Sequence, residues 1–453
     1  MEISEVKSYM EKQCESMIKD LAEFVSIPSV AENRQDVKRA LRYILNLART
    51  MGFDAKSVLD ESVGVIELGD GAETIGILSH VDVVPPGNPN VWRTPPFTLV
   101  QKDGRLYGRG AIDDKGAIIA CLYAMKAVKD SGIPMHKKIQ MILGTQEETE
   151  WTDMQAYVKL YPLPDYGFTP DGEFPVCNIE KGCMSMRISF PLEKITASGL
   201  YVTELTSDCA VNTVPGICTA KISHYEEGRE VLQETVEATG RSVHGCQPEK
   251  GENAVFNMVQ KLRAFPLAED GVIWKTLRQL EKWFSDLYGD EIGLSNEQQY
   301  INGEYVDKNV FSPTKIYTTK NTLEVYLDIR YAYGADDKKI IDTIASLAGN
   351  CGGEAQVITN MPAVYVDRNR PFMQAFAEAY EEGCGRTHEF VLAYGGSYAK
   401  AMPNIVSWGP IFPGEEDTCH EENEYISKKS LLENSVIFAA ALAKIALSEK
   451  SFK

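Results

Sequence analysis

Histidine is scarce in this chain, with 6 among 453 residues, and no two of its 10 cysteines form a CxxC pair. The start, Met1-Glu2-Ile3-Ser4-Glu5-Val6-Lys7, lacks a basic stretch followed by an apolar core, so no export leader is expected. Scattered cysteines without such a leader predict reduced thiols in a cytoplasmic protein. No apolar run approaches the ~18 residues that a membrane-crossing helix needs. No internal repeat or low-complexity tract occurs. No GKS or GKT follows a glycine-rich segment, which argues against a phosphate loop. Gly395-Gly396-Ser397-Tyr398-Ala399 is not the GxSxG elbow of a serine hydrolase. Positive charge is also short: 46 Lys and Arg against 65 Asp and Glu give a net charge of −19. Such a chain repels phosphate backbones and anionic lipid, so neither nucleic acid nor a membrane surface is an expected partner. The carboxylate excess suits hard or borderline cations.

What is present is ordinary globular material, 44% hydrophobic and 25% charged, long enough for two or three domains. Apolar residues at Val6, Met10, Met17, Ile18, Leu21 and Phe24 predict a helix over 5–24, ended by Ile27-Pro28. Helices are also expected over 35–51 and 115–129, with strands over 63–68, 74–79 and 138–144. That alternation predicts an α/β sheet covered on both faces. Beyond residue 183 the texture changes, with strands expected at 184–190, 218–223 and 322–330 and helices at 252–264, 271–288 and 338–349. Helical periodicity returns after Pro371, then come an apolar run at 405–408 and a last helix over 428–447. The expected plan is one discontinuous domain, residues 1–182 and 364–453, interrupted by an α+β domain over 183–363.

Five segments carry chemistry. In Leu78-Ser79-His80-Val81-Asp82 an apolar strand ends in a His and an Asp two residues apart, hence on one face. Asp82 could steady a metal-binding imidazole, or the two could be a satisfied polar pair. Gly108-Arg109-Gly110-Ala111-Ile112-Asp113-Asp114-Lys115-Gly116 places two acids before a helix, where a plain Asp cap would also fit. Gly144-Thr145-Gln146-Glu147-Glu148 ends another apolar strand in adjacent carboxylates, which repel unless a proton or cation lies between them. Thr169-Pro170-Asp171-Gly172-Glu173-Phe174-Pro175 is by itself a turn. Last come Phe412-Pro413-Gly414 and Cys419-His420-Glu421-Glu422-Asn423-Glu424, with a histidine among acids. Together His80, Asp113, Glu148, Asp171 and His420 offer two imidazoles and three carboxylates, spaced by 33, 35, 23 and 249 residues. Five ligands suit two divalent ions if one carboxylate bridges. Three carboxylates and one hydroxide then balance two dications.

This ordered set resembles the M20 family of metallopeptidases, and within it the PepV-like dipeptidases, from Ile27-Pro28 to the C-terminal helix. The resemblance implies a zinc-peptidase-like catalytic domain, a mixed sheet flanked by helices, with the inserted domain as a lid. It implies metal ligation by His80, Asp113, Glu148, Asp171 and His420, with Asp113 bridging. His80 and Asp171 would serve one ion, Glu148 and His420 the other. It makes Glu147 the general base that activates water, and Asp82 the partner of His80. In the lid, His244 of Gly240-Arg241-Ser242-Val243-His244-Gly245 would contact the substrate carbonyl. Asn212 and Arg330 would grip the substrate, with Gly396 and Ser397 near its carboxylate. Two departures stand out: Thr149-Glu150-Trp151 follows the paired glutamates where many relatives have glycine, and Cys246 stands where serine is usual. His136, His224 and His388 match no motif.

The expected function is hydrolysis of dipeptides by a monomer carrying two divalent cations, zinc by default, with manganese or cobalt also fitting the ligands. An M20-type deacylase of N-acyl amino acids (desuccinylase- or aminoacylase-like) shares the chemistry and differs in the pocket. A non-catalytic metal or peptide binder would have no need of Glu147.

Overall fold

The computed structural model describes residues 1–207, 209–296 and 298–453, and the chain divides into two compact units. The first comprises residues 1–178, 365–391 and 397–453, and the second 179–364 and 392–396.

The first unit is built on a mixed sheet. Its strands lie in the order Asp54–Val58, Val63–Leu68, Lys138–Gly144, Thr74–His80, Tyr166–Thr169, Ile405–Ser407 and Val176–Glu180, the last of which runs on into the second unit. Thr74–His80 is parallel to both its neighbours, pairing His80 with Gly144 and Ile77 with Phe168. Ile405–Ser407 is parallel to Tyr166–Thr169. Parallel strands of this kind are buried on both faces and read as continuous apolar runs, which is the character of Ile75-Gly76-Ile77-Leu78 and Ile139-Gln140-Met141-Ile142-Leu143. On one face Val63, Val65, Leu78, Ile142 and Ile405 pack with Met154 and Tyr157 of the helix Thr152–Leu160 and with Tyr398. Gly64 points the other way, where a Cβ would stand 2.7 Å from Leu41 of the helix Arg34–Thr50. The helix Lys115–Asp130 is buried along nearly its whole length, packed by Ile3–Val25 and Lys428–Ala446. Trp408, Phe168, Phe376 and Phe438 form an aromatic knot, with ring centroids 4.6–5.6 Å apart.

The second unit is a seven-stranded antiparallel sheet. Its order is Arg229–Thr239, Ile217–Glu226, Gly199–Thr206, Val310–Thr318, Thr322–Tyr331, Gly182–Pro191 and Glu354–Met361. Its core joins inward residues such as Met186, Ile188, Val325 and Leu327 to the helices Ala254–Leu262, Val272–Phe284 and Asp337–Asn350. Alternation of buried and half-exposed residues along Gly182–Pro191 is what one covered face requires. The short return of 392–396 to this unit is fixed by backbone and side-chain bonds. Lys181 N donates to Ala393 O at 3.1 Å, and Arg330 Nη1 donates to Tyr394 O at 3.3 Å.

The fold is therefore mixed α/β, with sheets flanked by helices. No helix among the described residues is long and apolar enough to cross a membrane.

Candidate active site

The carboxyl ends of three neighbouring parallel strands converge at one rim of the first unit's sheet. His80 is the last residue of Thr74–His80, Thr145 to Glu148 follow Lys138–Gly144, and Asp171 lies two residues past Tyr166–Thr169. Loops at that edge of a parallel sheet are where open α/β folds place ligands. Asp113 comes from the loop before the helix Lys115–Asp130. His420 arrives by a different route: the strand Tyr425–Ser427 pairs antiparallel with Arg105–Tyr107, setting Tyr425 opposite Tyr107. That pairing brings the His420 loop beside the Gly108–Asp113 loop.

Asp113 stands between the two imidazoles. Its Oδ1 lies 3.1 Å from His80 Nε2, and its Oδ2 lies 3.0 Å from His420 Nε2. On the His80 side, Asp171 Oδ2 is 3.9 Å from the same Nε2. On the His420 side, Glu148 Oε2 is 3.2 Å from His420 Nε2. Ligand atoms of His80, Glu147 and Asp171 lie within 4.8 Å of one another, as do those of His80, Asp113 and Glu148. Asp82 sits beneath the group, fully buried. Its Oδ1 accepts the backbone N–H of Glu147 at 3.3 Å and its Oδ2 that of Glu148 at 3.1 Å. The same Oδ1 is 3.6 Å from His80 Nδ1, and Asp82 O lies 3.0 Å from that nitrogen. One carboxylate thus orients an imidazole and both adjacent glutamates.

The electrostatics are those of acids crowded away from water. Burial, then the charge of Asp171, pushes the Glu147 carboxyl well above its ordinary range. Burial and the charge of Asp113 raise Glu148, and the same two causes push Asp171 up to about 7. Burial opposes the charged form of Asp113 too, but the close His420 and His80 rings hold it far below the usual carboxylate range. His420 is pushed up to about 11 by Asp113 and Glu148. Burial disfavours an imidazolium at His80, yet Asp113 and Asp82 outweigh it and raise that ring well above its ordinary value. His80 Nε2, Asp113 Oδ1 and Glu148 Oε1 are buried and, among the described residues, have no aligned hydrogen-bond partner. Orphaned acceptors aimed into one cluster of imidazoles and carboxylates fit two divalent ions with Asp113 between them.

The other expected site residues lie elsewhere in the chain's plan. Asn212, His244, Arg330 and Gly396 belong to the second unit and Ser397 to the first. Asn212 Nδ2 and His244 Nε2 are 3.4 Å apart. Arg330 is buried and bound through Nε and Nη2 to the two oxygens of Asp328, at 2.7 and 2.9 Å. Ser397 Oγ accepts from Ala399 N at the start of a helical turn.

Several residues around the cluster lay within or beside the motifs, but the sequence assigned them no site role. Asp114, fully buried, accepts from Ser79 Oγ and from His80 N, and its peptide bond to Asp113 is cis. Trp151, with φ of 55°, donates its indole N–H to Glu147 O at 2.6 Å. Tyr398 donates its hydroxyl to Asp153 Oδ2 at 3.1 Å, and the same oxygen accepts Thr145 N at 2.6 Å. Glu424 accepts three backbone N–H groups of the Gly110–Asp113 segment. A lone acid or aromatic gives no periodicity to read, so only the fold reveals these partners.

The model of peptidase family M20/M25/M40 matches residues 76–444. A Bacillus subtilis (strain 168) protein, provisionally named a dipeptidase, is 32% identical over 95% of this chain and 97% of its own length. A Staphylococcus aureus (strain bovine RF122 / ET3-1) protein with the same provisional name is 29% identical, covering 98% of this chain and 100% of its own. Among solved structures, human carnosine dipeptidase 1 aligns with a TM-score of 0.63 at 16% identity, over 98% of each chain. A dinuclear metal-binding M20 peptidase of Bacillus subtilis aligns with a TM-score of 0.55 at 12% identity, over 96% of this chain and 98% of its own. At such identities the structural likeness speaks to fold.

Proposed function

The chain belongs to peptidase family M20/M25/M40 and is a hydrolase of peptide bonds; from that premise we propose that it is a dipeptidase working with two divalent cations. The observation that carries this reading is Asp113, whose two oxygens each face a different imidazole at 3.0–3.1 Å. His80 and Asp171 would hold one cation, His420 and Glu148 the other, with Asp113 shared. The bound ions supply Lewis acidity, which lowers the pKa of water and polarises a carbonyl. Zinc is the default and manganese or cobalt fit the same donors.

The rest is the work of side chains. Glu147, a half-buried carboxylate with a raised proton affinity, takes a proton from the attacking water and returns it to the leaving amine. Asp82 fixes its backbone and that of Glu148. His244 is assigned to the developing oxyanion, a role worth about 3 kcal/mol for one well-placed donor. Asn212, Arg330, Gly396 and Ser397 are assigned to the substrate's polar ends, with the second unit as the lid. Gripping both ends limits the substrate to two residues. The provisional dipeptidase names of two full-length relatives support the substrate class.

The test is a panel of dipeptides, longer peptides and N-acyl amino acids, offered to chelated enzyme reloaded with Zn²⁺, Mn²⁺ or Co²⁺. Dipeptides are expected to be the best substrates, and only after reloading. Preference for N-acyl amino acids would replace the dipeptidase with a deacylase. Turnover unaffected by chelation would overturn the cation assignment.

A further inference from the structure

Arg109 and Glu424 form a buried ion pair, Nη1 to Oε2 at 2.8 Å, with both side chains at most 2% exposed. Burying such a pair is costly unless its remaining donors and acceptors are engaged. Here the polar atoms other than Arg109 Nε, which is buried without a partner among the described residues, are engaged by each other and by main-chain groups next to the two candidate cation ligands that arrive from opposite parts of the chain. Glu424 Oε2 also accepts Gly110 N at 2.8 Å, while its Oε1 accepts Ile112 N at 2.9 Å and the N–H of Asp113 itself at 3.2 Å. Arg109 Nη2 donates to Pro85 O at 3.2 Å and to the carbonyl of His420 at 3.4 Å. One pair of side chains therefore grips the backbone of Asp113 and of His420, whose own side chains meet at 3.0 Å.

The His420 loop needs such a grip. Its imidazole is 56% exposed, and its backbone is left-handed with φ of 65°, a conformation that persists for a non-glycine residue where its surroundings enforce it. The neighbours of Glu424 reinforce the hold: Glu422 accepts Asn88 N at 3.1 Å, and Asn423 accepts Arg93 N at 2.7 Å and donates to Val91 O at 3.1 Å.

We propose that Arg109 and Glu424 are positioning residues that set His420 against Asp113, so that filling of the Glu148–His420 cation position depends on them. The inference rests on the two-cation reading above. The test is calorimetric titration of the chelated full-length protein with Co²⁺, followed in parallel by visible absorption. Wild type is expected to show two binding events. Glu424→Gln is expected to weaken one of them by about 10–100-fold and to leave the other within about threefold, as does removal of groups that orient ligands elsewhere. It should reproduce the pattern of His420→Ala, and the double variant should be no weaker than His420→Ala alone, because both changes empty the same position. Should circular dichroism show Glu424→Gln to be unfolded, Arg109→Lys, which keeps the charge and loses the fork, carries the same comparison. Two unchanged events in the variant, or additive losses in the double variant, would overturn the positioning role alone. A wild type that takes up one cation or none would overturn the two-cation reading and the positioning role with it.

Discussion

At the residue scale the decisive side chain is Asp113, and the most testable is Glu147. Replacing Glu147 with Ala removes the proposed proton carrier and no expected ligand. Turnover should fall by about 10²–10⁴-fold while cation content, measured by atomic emission, stays at the wild-type ratio. Asp82→Ala should act differently. It leaves the N–H groups of Glu147 and Glu148 without their acceptor in a buried place, at a cost of about 1–3 kcal/mol in denaturant melts, and lowers activity through displaced glutamates. Sequence alone singled out most of the residues that the fold brings together here because His80, Glu147, Glu148 and Asp171 follow apolar strands and Asp113 precedes a helix beside glycine, whereas His420 stood out only as a histidine among acids and through the family resemblance. Arg109 and Glu424 stood inside two of the motifs without a role of their own, since their meaning lies in each other and in main-chain groups 311–314 positions away. Even Asp82 was read only as a companion of His80; its grip on two consecutive N–H groups depends on a loop geometry that no spacing encodes.

At the scale of elements, the turn into the helix Lys115–Asp130 holds the Asp113 loop in place. Gly116 lies against Ala111, whose carbonyl oxygen a Cβ would meet at 2.1 Å. Because the obstacle is backbone, Gly116→Ala should destabilise by about 1–3 kcal/mol and loosen cation binding together with stability. In the aromatic knot, Trp408→Ala should cost about 3–5 kcal/mol in equilibrium unfolding, with its ring fully buried among Phe168, Phe376 and Phe438. The elements that sequence made plain are those with a strong period or a continuous apolar run, such as Arg34–Thr50 and Thr74–His80. Those it hid include Arg229–Thr239, an edge strand exposed along most of its length. With neither face covered, such a strand has no reason to alternate. The helix Thr152–Leu160 was hidden because it is short and begins at a left-handed Trp151, without a capping side chain.

At the scale of the whole molecule, protons and cations compete for one set of acids and imidazoles. In the cation-free fold, Asp171 is raised to about 7 and Glu147 and Glu148 are raised with it, so the folded state binds more protons than the unfolded chain as pH climbs from about 4 to 7. His420, raised to about 11, contributes stability that is present below its unfolded value of 6.5 and is lost as pH rises through about 11. Both signs agree. The melting temperature of chelated protein should fall as pH rises across that acid window, and the gain on adding Zn²⁺ should grow over the same span. Proton uptake or release on loading, measured in weakly buffered solution, checks the direction: protons should be released. A melting temperature of chelated protein that climbs steadily from pH 5 to 7 would contradict the assignment.

The pairing of Tyr425–Ser427 with Arg105–Tyr107 has a consequence in time. During synthesis the first four of the proposed donors emerge long before the fifth, separated from it by 249 residues. On that reading a growing polypeptide carries an open cage, closed only when the strand Tyr425–Ser427 leaves the ribosome and zips against one made more than 300 residues earlier.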